Sequence, residues 1–281
     1  MFLKNIFFLL KENKMKKSFV FTATLLMGLA VTGCSKQKVK NATVEDVKAK
    51  GTFVMGLDDA FPPMGFRDKN NEIVGYDIDL ASKVAEKLGV KLVTQPISWS
   101  AKEQELSSGK IDCIWNGFTI TDERNESMAM TKPYLNNAQV VVVNDSSNYK
   151  TLADLAGKTV GVQKGSSAQE AIEAAQEFKA SLASVIEFDD NVFALNDLEI
   201  NKLDAVVMDV VVADYTIKTG LKTMHVLEES LAPEGYGIGF RKGSESLRDS
   251  VWQILVELQN DGTVSSISDK WFGEDRSVIA E

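Results

Sequence analysis

The sequence predicts an α/β fold of two similar lobes, with the chain crossing between them twice. Three observations carry this expectation. Short apolar runs alternate with amphipathic stretches, the pattern of strands covered by helices. The folded part, about 240 residues, is long for one core and comfortable for two. Two pieces of the first half also recur in the second. Gly51-Thr-Phe-Val-Met-Gly-Leu57 is echoed by Gly157-Lys-Thr-Val-Gly-Val-Gln163, and Leu106-Ser-Ser-Gly-Lys-Ile-Asp-Cys-Ile-Trp115 by Leu198-Glu-Ile-Asn-Lys-Leu-Asp-Ala-Val-Val207. Generic α/β patterning would produce such an echo as well.

Taken in order, the chain begins with a targeting segment. Lys16-Lys17 precedes an uncharged, mostly apolar run from Ser18 to Val31, then Thr32-Gly33-Cys34. A basic start, an apolar middle and small residues at the break describe a secretory signal. The run is shorter than the roughly 18 apolar residues a membrane span wants. Met15 starts a conventional signal by itself, so either Met1 or Met15 could be the start. The signal is expected over 1–33 and a polar tether over 34–50. Strands are expected at 52–57, 92–95, 111–115, 159–162, 185–188 and 204–208. Helices are expected at 77–88, 166–178, 191–200, 210–219 and 246–259. In the first of them Ile78, Ala81, Val84, Ala85 and Leu88 share a face and Asp77 is a candidate N-cap. Gly220 and Gly262 are natural stops. The tail adds a strand at 236–240, a long helix and Trp271-Phe-Gly273 with no third lobe to join, so it returns to the first. Lobe 1 is then 51–136 with 234–281, lobe 2 is 137–233, and the crossings near 134–138 and 232–236 make a hinge.

Charge and cysteine content narrow the function classes. Of 31 basic and 40 acidic residues, five Lys and one Glu precede residue 34, leaving 26 against 39, a formal −13. That balance argues against nucleic acid, whose binding needs clustered Lys and Arg. Beyond Cys34 only Cys113 remains, so no intramolecular disulfide framework exists, and Cys113 between two Ile reads as a buried small hydrophobe. No His, Cys or carboxylate cluster has metal-ligand spacing, and no cofactor is expected.

Asn116-Gly-Phe-Thr-Ile-Thr-Asp-Glu-Arg124 follows directly on the 111–115 strand. It places an Arg, two Thr and a Gly at the C-terminal end of a strand, where open α/β sheets bind ligands. A guanidinium suits a carboxylate, because its planar fork makes two parallel charge-assisted hydrogen bonds. The alternative is that Arg124 belongs to a surface salt-bridge run with Asp122, Glu123 and Glu126.

These pieces, taken together, resemble the solute-binding proteins of polar amino-acid ABC importers. The resemblance rests on Gly56-Leu-Asp-Asp-Ala-Phe-Pro-Pro-Met-Gly-Phe66, Gly75-Tyr-Asp-Ile-Asp-Leu-Ala81, Gly117–Arg124, Pro133-Tyr134 and Ala153-Asp-Leu-Ala-Gly-Lys158. It continues through Val160-Gly-Val-Gln163 with Gly165, Asp204-Ala-Val-Val-Met-Asp209 and Lys270-Trp-Phe-Gly273. Each piece alone is weak, but their order and spacing over most of the chain are specific. The resemblance implies a periplasmic-binding-protein-like clamshell, a free L-amino acid as ligand, and delivery to a permease and its ATPase. Ending the signal on Gly33-Cys34 similarly resembles the bacterial lipobox. It implies cleavage before Cys34 and a lipid anchor on its sulfur at the outer side of the cell membrane, and the protein is expected to be a monomer.

Carried over by matching positions, the family's ligand roles fall on ten residues. Arg124 would hold the α-carboxylate, with backbone donors at Ser167 and Ala168, since helix N-termini favour anions. Asp209 would accept from the α-ammonium, helped by the Gly117 carbonyl and the Thr119 hydroxyl. Asp58, Phe61, Trp99 and Gln163 would surround the side chain, the two rings offering cation–π contact to arginine or lysine. Core filling is the competing account of both rings, and loop capping that of Asp58. Glu103 and Trp115-Asn116 are unusual beside such a site, and could select a longer or bipolar ligand such as cystine. Glutamine is a further candidate. Two rival classes stand beside this reading. A dehydratase on the same fold would use an acid–base pair such as Asp58 with Glu103, and a sensory lipoprotein would pass on occupancy without delivering cargo.

Overall fold

Both halves open on a left-handed glycine followed by a strand. Thr43 and Asp46 cap each other's backbone at the start of α1 (Val44–Lys50), Gly51 ends it at φ 73°, and β1 (Thr52–Leu57) follows. In the second half Gly157, at φ 71°, precedes the strand that begins at Thr159. An L side chain at that φ would be strained, so glycine is the residue the turn requires. The computed structural model describes residues 41–220 and 223–280. The expected signal, Cys34 and the first part of the tether lie outside the described residues. No helix among the described residues is long and apolar enough to cross a membrane.

After β1 come β2 (Ala60–Phe61), β3 (Gly65–Arg67) and β4 (Ile73–Val74), a small antiparallel sheet, then α2 (Tyr76–Leu88) and β5 (Lys91–Pro96). Next are α3 (Lys102–Ser107), β6 (Cys113–Thr119), α4 (Asp122–Ser127), β7 (Met128–Met130) and β8 (Leu135–Asn144). The second half runs β9 (Thr159–Gln163), α5 (Ser167–Ala174), α6 (Gln176–Ser181), β10 (Ser184–Phe188), α7 (Asn191–Glu199), β11 (Ala205–Asp209) and α8 (Val210–Gly220). The last elements are β12 (Met224–Arg241), α9 (Glu245–Asn260) and α10 (Thr263–Phe272).

The strands lie in the order β10-β9-β11-β8-β12-β6-β1-β5, with β7 also on β12. β5, β1 and β6 are parallel, as are β10, β9 and β11. The two parallel sets are joined through the antiparallel pair β8 and β12. The expected crossings fall on this pair, with Leu135 opposite Tyr236 and Asn137 opposite Glu234. The returning tail completes the first half: β12 continues onto β6, and α9 and α10 pack on α2. β6 and β11 are buried along their whole length, as expected of strands covered on both faces. Phe53, Met55, Leu80, Val84, Trp115 and Leu255 are fully buried in the main core, and Cys113 is buried and free. Each such Leu or Phe is worth about 1.5–3 kcal/mol of transfer free energy.

Three expectations are corrected. The strand expected to stop at Trp115 runs on to Thr119, because Trp115 and Phe118 also find buried places between β1 and β12. The helix expected at 166–178 breaks at Ala175 (φ −83°, ψ 67°) into α5 and α6. Ala171 and Phe178 are seven apart, so the apolar period carries on through the break and hides it. Asp77 is not the N-cap of α2. Gly75 is, at φ 150°, where a Cβ would stand 2.2 Å from the Met64 carbonyl oxygen. Asp77 instead lies fully buried, accepting from the Gly117 N–H at 2.8 Å and the Tyr134 hydroxyl at 2.9 Å.

Candidate functional site

Arg124 is 3% exposed, in the short helix that Thr121 caps through its Oγ1. Burial excludes the surface salt-bridge run. Its guanidinium lies 4.5 Å from the Phe118 ring centre. Nη1 donates to the Thr119 carbonyl at 2.8 Å, and Nη2 to Glu170 Oε1 at 2.9 Å across from α5. Nε has no partner among the described residues. The fork thus faces the first turn of α5, where Ser166 is the N-cap and Ser167 and Ala168 follow. Ser167 Oγ is 2.9 Å from Thr119 Oγ1, while the Ala168 methyl is buried in the second core. Early helix N–H groups have no intrahelical acceptor, so the first-turn amides of Ser167 and Ala168 can receive an anion.

Asp209 ends β11 and is 4% exposed. Its Oδ1 accepts from Asn137 Nδ2 at 2.6 Å, Gln139 Nε2 at 2.9 Å and the Tyr236 hydroxyl at 2.8 Å. Desolvation, followed by the Glu234 charge, pushes its carboxyl well above the usual carboxylate range. Glu234 Oε1 accepts from Asn137 Nδ2 at 2.5 Å, Gln139 Nε2 at 2.7 Å and Thr119 Oγ1 at 2.8 Å. Gly117, at φ 56°, leaves no room for a side chain: a Cβ would stand 2.8 Å from Phe61 and 3.1 Å from Tyr236.

Asp58 and Gln163, expected at the side-chain end, meet across the two halves. Asp58 Oδ1 accepts from the Ala60 N–H at 2.9 Å, the loop cap its position allowed, and Oδ2 accepts from Gln163 Nε2 at 2.6 Å. Burial pushes its carboxyl up to about 6. Phe61 lies against Gly117, and Trp99 stands edge-on to Phe118 at 5.8 Å, so the two rings belong to different apolar clusters. Glu103 is exposed, while the adjoining residue turns inward. Lys102 is 4% exposed and donates to the Gly165 carbonyl at 2.7 Å. Burial, then the Arg124 charge, lowers its ammonium to about 8. Trp115 is core, packed against Tyr134, and Asn116 Oδ1 receives the Asp58 N–H. His225 pairs with exposed Asp145 at 2.8 Å.

Sequence reasoning missed Glu234, Asn137, Gln139, Lys102 and Glu170. A signal existed for two of them. Asn137 and Gln139 are two apart at the head of a Val-rich strand, so they share one face of β8 as a polar pair. Chemically, the cleft offers a guanidinium with helix-start amides at one point and acceptor-rich carboxylates at another. An acid and a base flank the turn from Gln163 to Gly165. Such an array is suited to holding a small zwitterion by charge-assisted hydrogen bonds.

Comparison with known proteins agrees with the geometry. The family model described as bacterial extracellular solute-binding proteins, family 3, matches residues 53–274. The L-cystine-binding protein TcyJ of Escherichia coli is 30% identical over 258 residues, covering 91% of this chain and 94% of that one. The crystal structure of Tv2483 bound to L-arginine superposes with a TM-score of 0.80 at 32% identity, covering 84% of this chain and 96% of that one. A substrate-binding protein of an ABC uptake transporter from Streptococcus pneumoniae, with bound histidine, gives 0.81 at 37% identity, covering 83% and 97%.

Proposed function

The chain belongs to the bacterial extracellular solute-binding proteins, family 3, and on that premise we propose that it captures a polar L-amino acid between its two halves and delivers it to the permease and ATPase of an ABC importer. The observation that carries this reading is the pairing of buried Arg124 and buried Asp209, which come from different halves. They are linked through Thr119, Ser167 and Gln139. Arg124 with the Ser167 and Ala168 amides takes the α-carboxylate. Asp209, with the Gly117 carbonyl and Thr119 hydroxyl, takes the α-ammonium. Asp58, Phe61, Trp99 and Gln163 line the side-chain end. Lobe 1 comprises 51–136 and 234–281 and lobe 2 comprises 137–233. A zwitterion held from both sides favours the shut form, which the permease then reads by population shift.

Buried Asp58 supports a cationic side chain, arginine or lysine ahead of cystine and glutamine. Cystine is the second reading, on one observation: Asp58 reaches Gln163 and Lys102 reaches Gly165, an acid and a base on one turn. A second zwitterionic head would meet both. A thermal-shift screen of the purified protein against the L-amino acids tests the proposal. Ligand at about 100 times Kd adds about 2.7 kcal/mol, an expected rise of roughly 5–10 °C for a protein of this size. The ranking of arginine against cystine separates the two readings, and a flat response to every amino acid would sink both. Membrane attachment is proposed through lipid on Cys34. In cells, Cys34→Ala is expected to abolish lipid labelling and release the protein from the membrane fraction; unchanged labelling refutes the anchor.

A further inference from the structure

Two carboxylates, not one, stand at the ammonium end of the cleft. Glu234 Oε1 and Asp209 Oδ1 both accept from Asn137 Nδ2 and from Gln139 Nε2. Two acceptors within hydrogen-bond distance of the same nitrogen lie within about 5 Å of each other. Gln139 Nε2 carries two hydrogens and has a third acceptor, Ser167 Oγ, at 3.2 Å. At Gln139 three acceptors thus share two hydrogens, and the donors to the pair, Asn137, Gln139, Thr119 and Tyr236, are all neutral. The neighbouring cations do not relieve this. Arg124 is committed to the Thr119 carbonyl and Glu170, and Lys102 to the Gly165 carbonyl. Like charges this close repel strongly where water is excluded, and a cation between them removes the cost.

We propose that Glu234 is a second direct acceptor for the ligand's α-ammonium, acting with Asp209 as a two-carboxylate clamp that selects amino acids over otherwise identical acids lacking the positive charge. The inference rests on the amino-acid reading above. An ammonium brings N–H donors together with the positive charge that the neutral donors around the pair do not supply. Glu234 suits the role because it sits on the β8–β12 ladder, opposite Asn137, where the chain passes between the halves. Its contact with Thr119 Oγ1 joins it to the atoms that bridge Arg124 to Ser167. Among groups facing the pair, Asn137, Gln139, Thr119 and Ser167 are neutral. Tyr236 donates its hydroxyl to Asp209, and Arg124 and Glu170 satisfy one another beyond Thr119. Burial and the second carboxylate raise the Asp209 carboxyl, so it retains its proton to higher pH than an ordinary acid would. Binding a cation then expels that proton.

The test is calorimetry of wild type and Glu234→Gln with the two amino acids that rank first in the thermal-shift screen, each beside its α-hydroxy acid. Both variants are measured in two buffers of different ionisation enthalpy near pH 7. For wild type, the α-hydroxy acids are expected to bind about 100-fold more weakly than the amino acids, and proton release to accompany amino-acid binding. In Glu234→Gln the amino acids weaken by about 10-fold or more while the α-hydroxy acids bind no worse, and proton release shrinks. Equal weakening of both ligand types would mark Glu234 as a structural residue and overturn the inference, and so would unchanged discrimination. Retained α-hydroxy acid binding shows that the variant is folded. Wild type that binds no amino acid in the thermal-shift screen would overturn the amino-acid reading itself, and this inference with it.

Discussion

Arg124→Ala is expected to abolish measurable binding of the amino-acid ligand, a loss of about 3–5 kcal/mol. The magnitude follows from burial. At 3% exposure, Arg124 is screened little by water, and its guanidinium is the buried cation whose fork faces the start of α5. Removing it leaves a ligand carboxylate facing Glu170 with no countercharge. Arg124→Lys keeps the charge but not the planar fork, so it is expected to recover only part of the affinity. Calorimetry measures both, and urea unfolding is the control. Arg124 also donates to the Thr119 carbonyl and lies on Phe118, so some stability is lost as well. The two effects separate cleanly, since ligand affinity of the residual folded protein is read at low temperature. Near-normal affinity in Arg124→Ala would remove the central residue of the proposed function.

Much of this architecture is legible in the chain, for identifiable reasons. Period-2 and helical patterns mark most strands and helices, and the two crossings follow from a tail that has no third lobe to join. Arg124 is a candidate because it closes a polar run at the C-terminal end of an apolar strand, though a surface salt bridge reads equally well there, and Asp209 enters only through the family resemblance. What stays hidden is pairing at long sequence separation. Gln163 meets Asp58 across 105 residues and Gln139 meets Glu234 across 95, and no local pattern encodes either. Inward or outward orientation is the other blind spot. Lys102 and Glu103 are adjacent and both charged, and only the packing of α3 turns the lysine in. The continuation of β6 through Asn116 and Thr119 was hidden for a related reason. Polar residues read as loop until partners are known, and here the Asp58 N–H and the Ser167 and Glu234 side chains supply them.

Asp77 carries the largest expected effect on stability, and its pH dependence has a definite sign. Its carboxylate is the acceptor for both the Gly117 N–H and the Tyr134 hydroxyl, groups that have no water to turn to. Asp77→Ala therefore strands two donors and opens a small cavity, at a cost of about 3 kcal/mol or more. Burial raises the Asp77 carboxyl from 3.8 to about 7. A group whose pKa is raised on folding contributes stability that is fully present below its unfolded value. That contribution is lost as pH rises through the folded value. Between pH 5 and pH 8, wild type is thus expected to lose about 2–3 kcal/mol from this one group, before other titrations are counted. Asp77→Asn keeps an acceptor for Gly117 and Tyr134 but cannot ionise, so the difference between the two proteins isolates the effect. Urea unfolding at both pH values is the measurement. Wild type should gain on Asp77→Asn as pH falls from 8 to 5. A constant gap between them would mean that Asp77 is ionised throughout, its charge held by Gly117 and Tyr134 against the cost of burial.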